Sequence, residues 1–231
     1  MLIILPPSET KAWGTEDSPL NIQELSFPGL NETREEIIRD LLSLCENMEE
    51  ALSVLKLSSR MEAEVKANRV LFSAPTSPAF ELYTGVLFDA LQLPSLSPSA
   101  RRQVCISSAL FGITMAEDLI PHYRLSAGSK LNLMKRWRGQ ISAALNDAKP
   151  GLVLDLRSTA YQKLDDLSTY EGEHYAVKVV KKDSGTAISH TSKKHKGLLA
   201  REILEKGYES LDEILQVEGL ELDGDQLIYK V

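Results

Sequence analysis

The sequence predicts a mixed α/β fold, a single compact domain spanning residues 1–231 with its strands dispersed among helices. Three observations predict it. Short, almost wholly apolar runs at Met1–Leu5, Val104–Ser107 and Gly151–Leu156 read as buried strands. Between them lie stretches whose apolar residues recur at helical spacing, so the two element types alternate along the chain. Finally, no repeat, low-complexity tract or convincing linker divides it.

Taken in order, the first strand ends at Pro6-Pro7 and runs into the polar loop Ser8-Glu9-Thr10-Lys11. A Gly/Pro-rich connection follows to about residue 30. Asn31 is placed to cap a helix whose first turn is acidic, with Ile37, Ile38, Leu41, Leu42 and Leu44 on its apolar stripe. Two more helical stretches cover about 48–56 and 60–69, and residues 73–79 form a loop. Phe80 to Leu91 reads as one amphipathic helix carrying Tyr83-Thr84-Gly85. Ser97-Pro98 opens a short helix, because Pro suits the first helical position. A long helix over about 131–147 carries Trp137 and ends near Pro150. Tyr175–Lys181 and Thr186–His190 read as a hairpin around Asp183-Ser184-Gly185. His195–Lys206 and Ser210–Val217 are helical, and Leu227–Val231 closes the chain as a strand after Asp223-Gly224-Asp225.

Apolar residues make up 43% of the chain and charged residues 26%, the proportions of a soluble globular protein. No apolar run approaches the roughly 18–20 residues needed to span a bilayer, so no membrane partner is expected. The N-terminus lacks a basic segment and its apolar run is too short for a signal peptide, which points to the cytoplasm. The only cysteines, Cys45 and Cys105, have no metal or redox spacing and read as buried thiols of a reducing compartment. Charge is split by region. Residues 121–201 hold 15 Lys and Arg against 7 Asp and Glu, a balance of +8 within a chain of net charge −7. Such an island attracts phosphate at short range if its cations converge, and merely solvates helix faces if they do not.

Four polar clusters follow strand ends, where open α/β sheets bind ligands. They are Ser8-Glu9-Thr10-Lys11, Pro121-His122-Tyr123-Arg124-Leu125, Arg157-Ser158-Thr159-Ala160-Tyr161 and Thr191-Ser192-Lys193-Lys194-His195-Lys196-Gly197. Each alone can be explained by capping hydroxyls and solvated cations. Together they supply the hydrogen bonds, point charges and guanidinium forks of a phosphate site. The last cluster places Lys193, Lys194 and Lys196 around a helix start, where the helix dipole disfavours cations unless an anion compensates them. Lys11, Arg124, Arg157, Lys193 and Lys196 are therefore expected to face one cleft. Catalytic signatures are missing: there is no Walker loop, GxGxxG, GxSxG or HExxH, and His122, His174, His190 and His195 lack paired metal-ligand spacing. No metal and no cofactor is expected. Asp155, inside a buried strand, reads as the structural partner of Arg157 or as a base.

With these residues in view, the sequence resembles the YaaA family of peroxide stress proteins. The resemblance rests on the opening Met1–Lys11, on Tyr83-Thr84-Gly85, and on Ser108-Ala109-Leu110-Phe111-Gly112 leading to Asp118–Leu125. Trp137, Asp155–Tyr161 and Lys193–Arg201 complete it. It implies a mixed α/β fold around a basic cleft, a cytoplasmic role under hydroperoxide stress, and nucleic-acid binding that includes a helix-hairpin-helix-like element. Here the candidate for that element lies around Leu110-Phe111-Gly112-Ile113, with one glycine where such hairpins often have two. Adding the family motifs, the candidate anion-binding residues are Ser8, Lys11, Tyr83, Arg124, Arg157, Ser158, Lys193, Lys194, Lys196 and Arg201.

Two functions compete. The first is non-enzymatic, largely sequence-independent binding of nucleic acid, most simply DNA, through the basic cleft. The second is an enzyme acting on a small phosphate- or carboxylate-bearing substrate in the same cleft. Geometry separates them: an open groove as wide as a duplex favours the first, a closed pocket of a few hundred Å³ the second.

Overall fold

A computed structural model of the chain describes residues 1–188 and 191–231, so the expected strand Thr186–His190 ends outside the described residues at Ser189 and His190. The strands are β1 (Leu2–Leu5), β2 (Thr76–Pro78), β3 (Val104–Ser108), β4 (Gly112–Met115), β5 (Leu119–Pro121), β6 (Leu152–Asp155), β7 (Glu173–Val180), β8 (Leu220–Asp223) and β9 (Gln226–Lys230). Seven of them form one sheet in the order β4-β3-β1-β6-β7-β9-β8. The five inner strands are parallel, and β4 and β8 join antiparallel at the two edges. Every residue of β1, β3 and β6 is buried, as their unbroken apolar runs require of strands covered on both faces.

Helices α1 (Asn31–Glu46), α2 (Met48–Leu55), α3 (Glu62–Arg69), α4 (Ala79–Leu82), α5 (Val86–Leu91), α6 (Pro98–Arg101), α7 (Leu133–Trp137), α8 (Gln140–Ala148), α9 (Thr159–Gln162), α10 (Ser192–Lys206) and α11 (Leu211–Ile214) complete the fold. Ser97 caps α6 as expected, accepting from the Ala100 N–H at 3.2 Å. Asn31 does not cap α1. It is the first helical residue, and its carboxamide oxygen instead accepts from Arg34 at 2.8 Å. Arg34 is wholly buried and also donates to the carbonyls of Ser26, Phe111 and Ile113, tying α1 to the β3–β4 turn.

Two expected long helices are each two short ones. The helix over Phe80–Leu91 breaks at Tyr83-Thr84-Gly85, where Gly85 adopts φ +101°. The helix over 131–147 breaks at Arg138-Gly139, with Gly139 at φ +74°. In both places the apolar period continues through the break and conceals it, while the glycine supplies the backbone freedom that a turn needs. Residues 73–79 are not all loop either, since Thr76–Pro78 pairs with Leu119–Pro121 as a two-stranded ribbon. The expected second strand of the 175–190 hairpin contributes a single bridge, Val180 to Ala187, among the described residues.

The segment expected to form a helix-hairpin-helix-like element is a β-hairpin. β3 and β4 flank Ala109-Leu110-Phe111, and these three turn residues are fully buried. The Ser108 hydroxyl accepts from the N–H groups of Leu110 and Phe111, and the Trp137 indole donates to the Ala109 carbonyl. With its polar groups satisfied inward, this turn presents nothing to a nucleic-acid backbone. No helix is long and apolar enough to cross a membrane among the described residues.

Candidate functional site

The chain leaves β1 toward β3 on one side of the sheet and leaves β6 toward β7 on the other. Neighbouring parallel strands whose connections diverge leave a crevice at their C-terminal ends, the usual ligand position of such sheets. A cavity of about 670 Å³ lies there. Pro6, Pro7 and Glu9 line it after β1, Leu156 to Gln162 after β6, and Ala176 to Val179 from β7, while Ser192, Lys193 and Lys196 approach from the start of α10.

The wall is built from a buried ion pair. The Asp155 carboxylate accepts from Nε and Nη2 of Arg157 and from the Arg157 N–H, each at 2.9 Å. Burial alone would push the Asp155 carboxyl up, but the Arg157 charge and hydrogen bonds outweigh it and hold the group below its ordinary range. Asp155 is thus the structural partner of Arg157. The Lys196 ammonium is buried against the same loop, donating to the carbonyls of Leu156 at 2.9 Å and Arg157 at 3.0 Å. Burial lowers its pKa to about 8, against the opposing pull of Asp155. Exposed Ser158, Thr159, Lys178 and Lys193 supply the solvent-facing hydroxyls and charges.

A second cluster adjoins this pocket through Glu9. The Glu9 carboxylate accepts from Arg124 at 2.9 Å, and the same guanidinium donates to the Glu9 carbonyl at 2.8 Å. Lys11 lies behind this pair. Its Nζ donates to the Ser8 carbonyl at 3.1 Å and sits 4.3 Å over the Tyr123 ring and 5.3 Å from that of Tyr83. The Tyr123 hydroxyl is 2.7 Å from both the Tyr83 hydroxyl and the Ser108 Oγ, a chain of three buried hydroxyls. Burial first, then the Arg124 charge, lowers the Lys11 pKa to about 7. The Tyr83, Tyr123 and Tyr161 phenols move the other way, upward, chiefly through burial.

Beside it, the His122 ring is held between the Ala12 carbonyl at 3.0 Å and the Glu64 carboxylate at 2.9 Å. The hydrogen bond to His122 keeps the Glu64 carboxyl below its ordinary range, against burial. A carbonyl and a carboxylate only accept, so both bonds form together when the imidazole carries both protons. Trp13 stacks on this ring at 4.1 Å and 16°, with 60% of its own surface exposed.

The structure therefore brings Arg157, Ser158, Lys193 and Lys196 into one pocket. Lys11, Ser8, Tyr83 and Arg124 gather in the adjoining cluster rather than on the pocket wall. Lys194 is exposed on α10 outside the pocket wall. Arg201 belongs to neither group: it donates to the Leu91 carbonyl, Gln92 and Ser95 and pairs with Glu205, fastening α10 to the end of α5. Sequence reasoning missed Lys178, Glu64 and Trp13. The first lies in a strand and the second on a helix face, and only the aromatic character of Trp13 in a polar loop could have flagged it. Both cysteines are buried, and burial raises both thiols above their ordinary range. No group of three His, Cys, Asp or Glu suited to a metal occurs among the described residues.

Comparison with known proteins adds the relationship. Residues 1–226 match the family described as peroxide stress protein YaaA. A UPF0246 protein of Corynebacterium glutamicum is 44% identical over 212 residues, covering 87% of this chain and 84% of that one. A UPF0246 protein of Streptomyces coelicolor is 40% identical over 218 residues, covering 90% and 84%. An uncharacterized protein of Campylobacter jejuni is 29% identical over 209 residues, covering 86% and 82%. With the match running almost end to end and including the β1 loop, the β6 loop and the start of α10, the chain belongs to the YaaA family of peroxide stress proteins.

Proposed function

We propose that this peroxide stress protein acts by holding a small phosphate-bearing ligand in the strand-end pocket. The observation that carries the reading is the composition of that wall. Arg157, Lys178, Lys193 and Lys196 stand with Ser158 and Thr159 around about 670 Å³, and the one carboxylate on the wall, Glu9, is already paired with Arg124. That volume suits a compound of nucleotide size. Lys193 and Lys178 make no side-chain hydrogen bond or ion pair among the described residues and can meet an anion, whereas Arg157 and Lys196 shape the floor through bonds to protein groups.

A second reading, nucleic-acid binding, is favoured by one specific observation. Trp13 offers an exposed indole face stacked on His122, whose partner Glu64 feels the charges of Arg124 and Lys11. Aromatic platforms next to cations stack the bases of single strands. Trp137 is fully buried and is the only other tryptophan, so quenching of intrinsic fluorescence reports Trp13.

One titration series separates the two. Pyrophosphate and a nucleoside 5′-monophosphate are expected to saturate the pocket, and Lys193→Ala should weaken both about tenfold, the loss of one charge-assisted contact. Oligonucleotides that bind tightly, quench Trp13 and lose affinity steeply with salt would put the second reading first, with Lys193→Ala lowering the salt slope by about one unit. On either reading, protection acts through a ligand rather than through oxidation of the protein. A Cys45→Ala, Cys105→Ala variant should therefore preserve peroxide survival in a complemented strain at equal protein level, since neither thiol is exposed or favoured as thiolate. Loss of survival by a well-folded variant would contradict this.

A further inference from the structure

We propose that Lys11 is an amine nucleophile that condenses with the carbonyl group of a small anionic compound to form an imine. The anion-binding half of this statement rests on the reading of the pocket given above. The amine half stands on the geometry around Lys11 itself.

Lys11 follows β1 in the cluster that adjoins the pocket through Glu9, and its amine has an unusual seat. It lies over the faces of two tyrosines and makes one hydrogen bond to protein, to the Ser8 carbonyl. No carboxylate is paired with it among the described residues: Glu9 is taken by Arg124 and Glu64 by His122. A partly buried seat, beside a guanidinium and without its own counter-ion, is the environment that favours an unprotonated, nucleophilic lysine. Consistently, its pKa falls to about 7, so roughly half the amine is free near neutrality. Lys196 differs in the feature that matters. Its pKa is also lowered, but two carbonyls hold its Nζ in place. Lys178, Lys193 and Lys194 are exposed.

The surroundings suit the reaction. The two rings against the amine carry the hydroxyls of the Tyr83–Tyr123–Ser108 chain, and burial keeps both phenols protonated and able to donate. Attack by the Nζ lone pair forms the C–N bond and moves the carbonyl π pair onto oxygen, which takes a proton as the nitrogen releases one. The carbinolamine then loses that oxygen as water and leaves the imine. One water is released, and neither oxidant nor reductant enters. Glu9 and Tyr161 connect the amine to the pocket. Both line its wall, Glu9 pairs with Arg124, and the Tyr161 phenol lies within electrostatic reach of Tyr123.

The test uses the intact protein with pyridoxal 5′-phosphate and, in parallel, pyridoxal, followed by borohydride reduction and peptide mass mapping. Lys11 is expected to be modified first by the phosphorylated probe. Its rate should rise through about pH 7, while exposed lysines respond only at higher pH. Lys11→Arg, which keeps a cation there, should abolish that modification with an unchanged circular dichroism spectrum, and Tyr123→Phe should slow it several-fold. Equal modification of Lys11 by both probes would uphold the amine and remove the pocket's part in it. Labelling of Lys178, Lys193 and Lys194 in proportion to their exposure, with Lys11 or its pH profile unexceptional, would overturn the proposal, as would a dominant adduct on Lys196.

Discussion

Asp155→Asn should cost the folded chain about 3–5 kcal/mol, the range for leaving one member of a buried ion pair uncompensated. Arg157 is fully buried, and Asp155 receives three of its hydrogen bonds. An asparagine can accept at only one oxygen and turns its NH₂ toward a guanidinium that only donates. In a chain of this length the loss corresponds to a fall in Tm on the order of 10 °C. Denaturant unfolding of both proteins at pH 7 measures it. A double variant, Asp155→Leu with Arg157→Met, should recover part of the loss, because it removes the buried pair but leaves the Lys196 ammonium without the opposing charge of Asp155. A single-variant loss below about 1 kcal/mol would mean that water or another group reaches Arg157. The pH dependence follows from the direction of the Asp155 shift. A depressed carboxyl contributes stability above its ordinary range and loses it as pH falls through the lower folded value. The wild type should therefore weaken more steeply in acid than the double variant, which keeps only the shares of Glu64 and the other depressed carboxyls.

How much of this was legible beforehand depended on whether the deciding force was local. β1, β3 and β6 could be read from their apolar runs, because a strand covered on both faces leaves no other pattern. The breaks at Gly85 and Gly139 could not, because the residues either side keep the helical period and only tertiary packing selects the turn. The hairpin at Ala109–Phe111 was hidden likewise: an apolar turn is stable here because Arg34, Ser108 and Trp137 satisfy its backbone from distant positions. The site divides along the same line. Residue type and strand-end position pointed to Arg157, Ser158, Lys193 and Lys196. Which cations remain free for a ligand was illegible, since that depends on carbonyls brought in by the fold, as with Lys196 at Leu156 and Arg201 at Leu91. The surplus of +8 in residues 121–201 therefore overstates the charge that a ligand meets.

Lys11 and Lys196 should also give the protein a stability that rises with pH through the range where most proteins are flat or falling. Each is lowered in the folded state, to about 7 and about 8, from the ordinary value of 10.5 that it regains on unfolding. Between those values the unfolded chain binds more protons than the folded one, so unfolding becomes harder as pH increases. Below about pH 7 both states hold both protons and the effect vanishes. The groups facing each amine act in opposite senses. Arg124 adds to the lowering at Lys11 while Glu64 and Glu9 oppose it, and Asp155 opposes it at Lys196. Above about pH 10 the buried Tyr83, Tyr123 and Tyr161 phenols, kept protonated in the fold, reverse the trend. The window is thus about pH 8 to 10, and each lysine contributes up to roughly 1.4 kcal/mol per pH unit within it. Urea unfolding at pH 7, 8, 9 and 10 should show the wild-type stability climbing relative to Lys196→Met and Lys11→Met, each variant flattening its own share. Parallel curves for all three proteins would show that water reaches these amines and that neither is held neutral by the fold. An anion bound in the pocket should reverse the Lys196 part by favouring the charged form, so saturating pyrophosphate is expected to flatten the wild-type curve toward that of Lys196→Met.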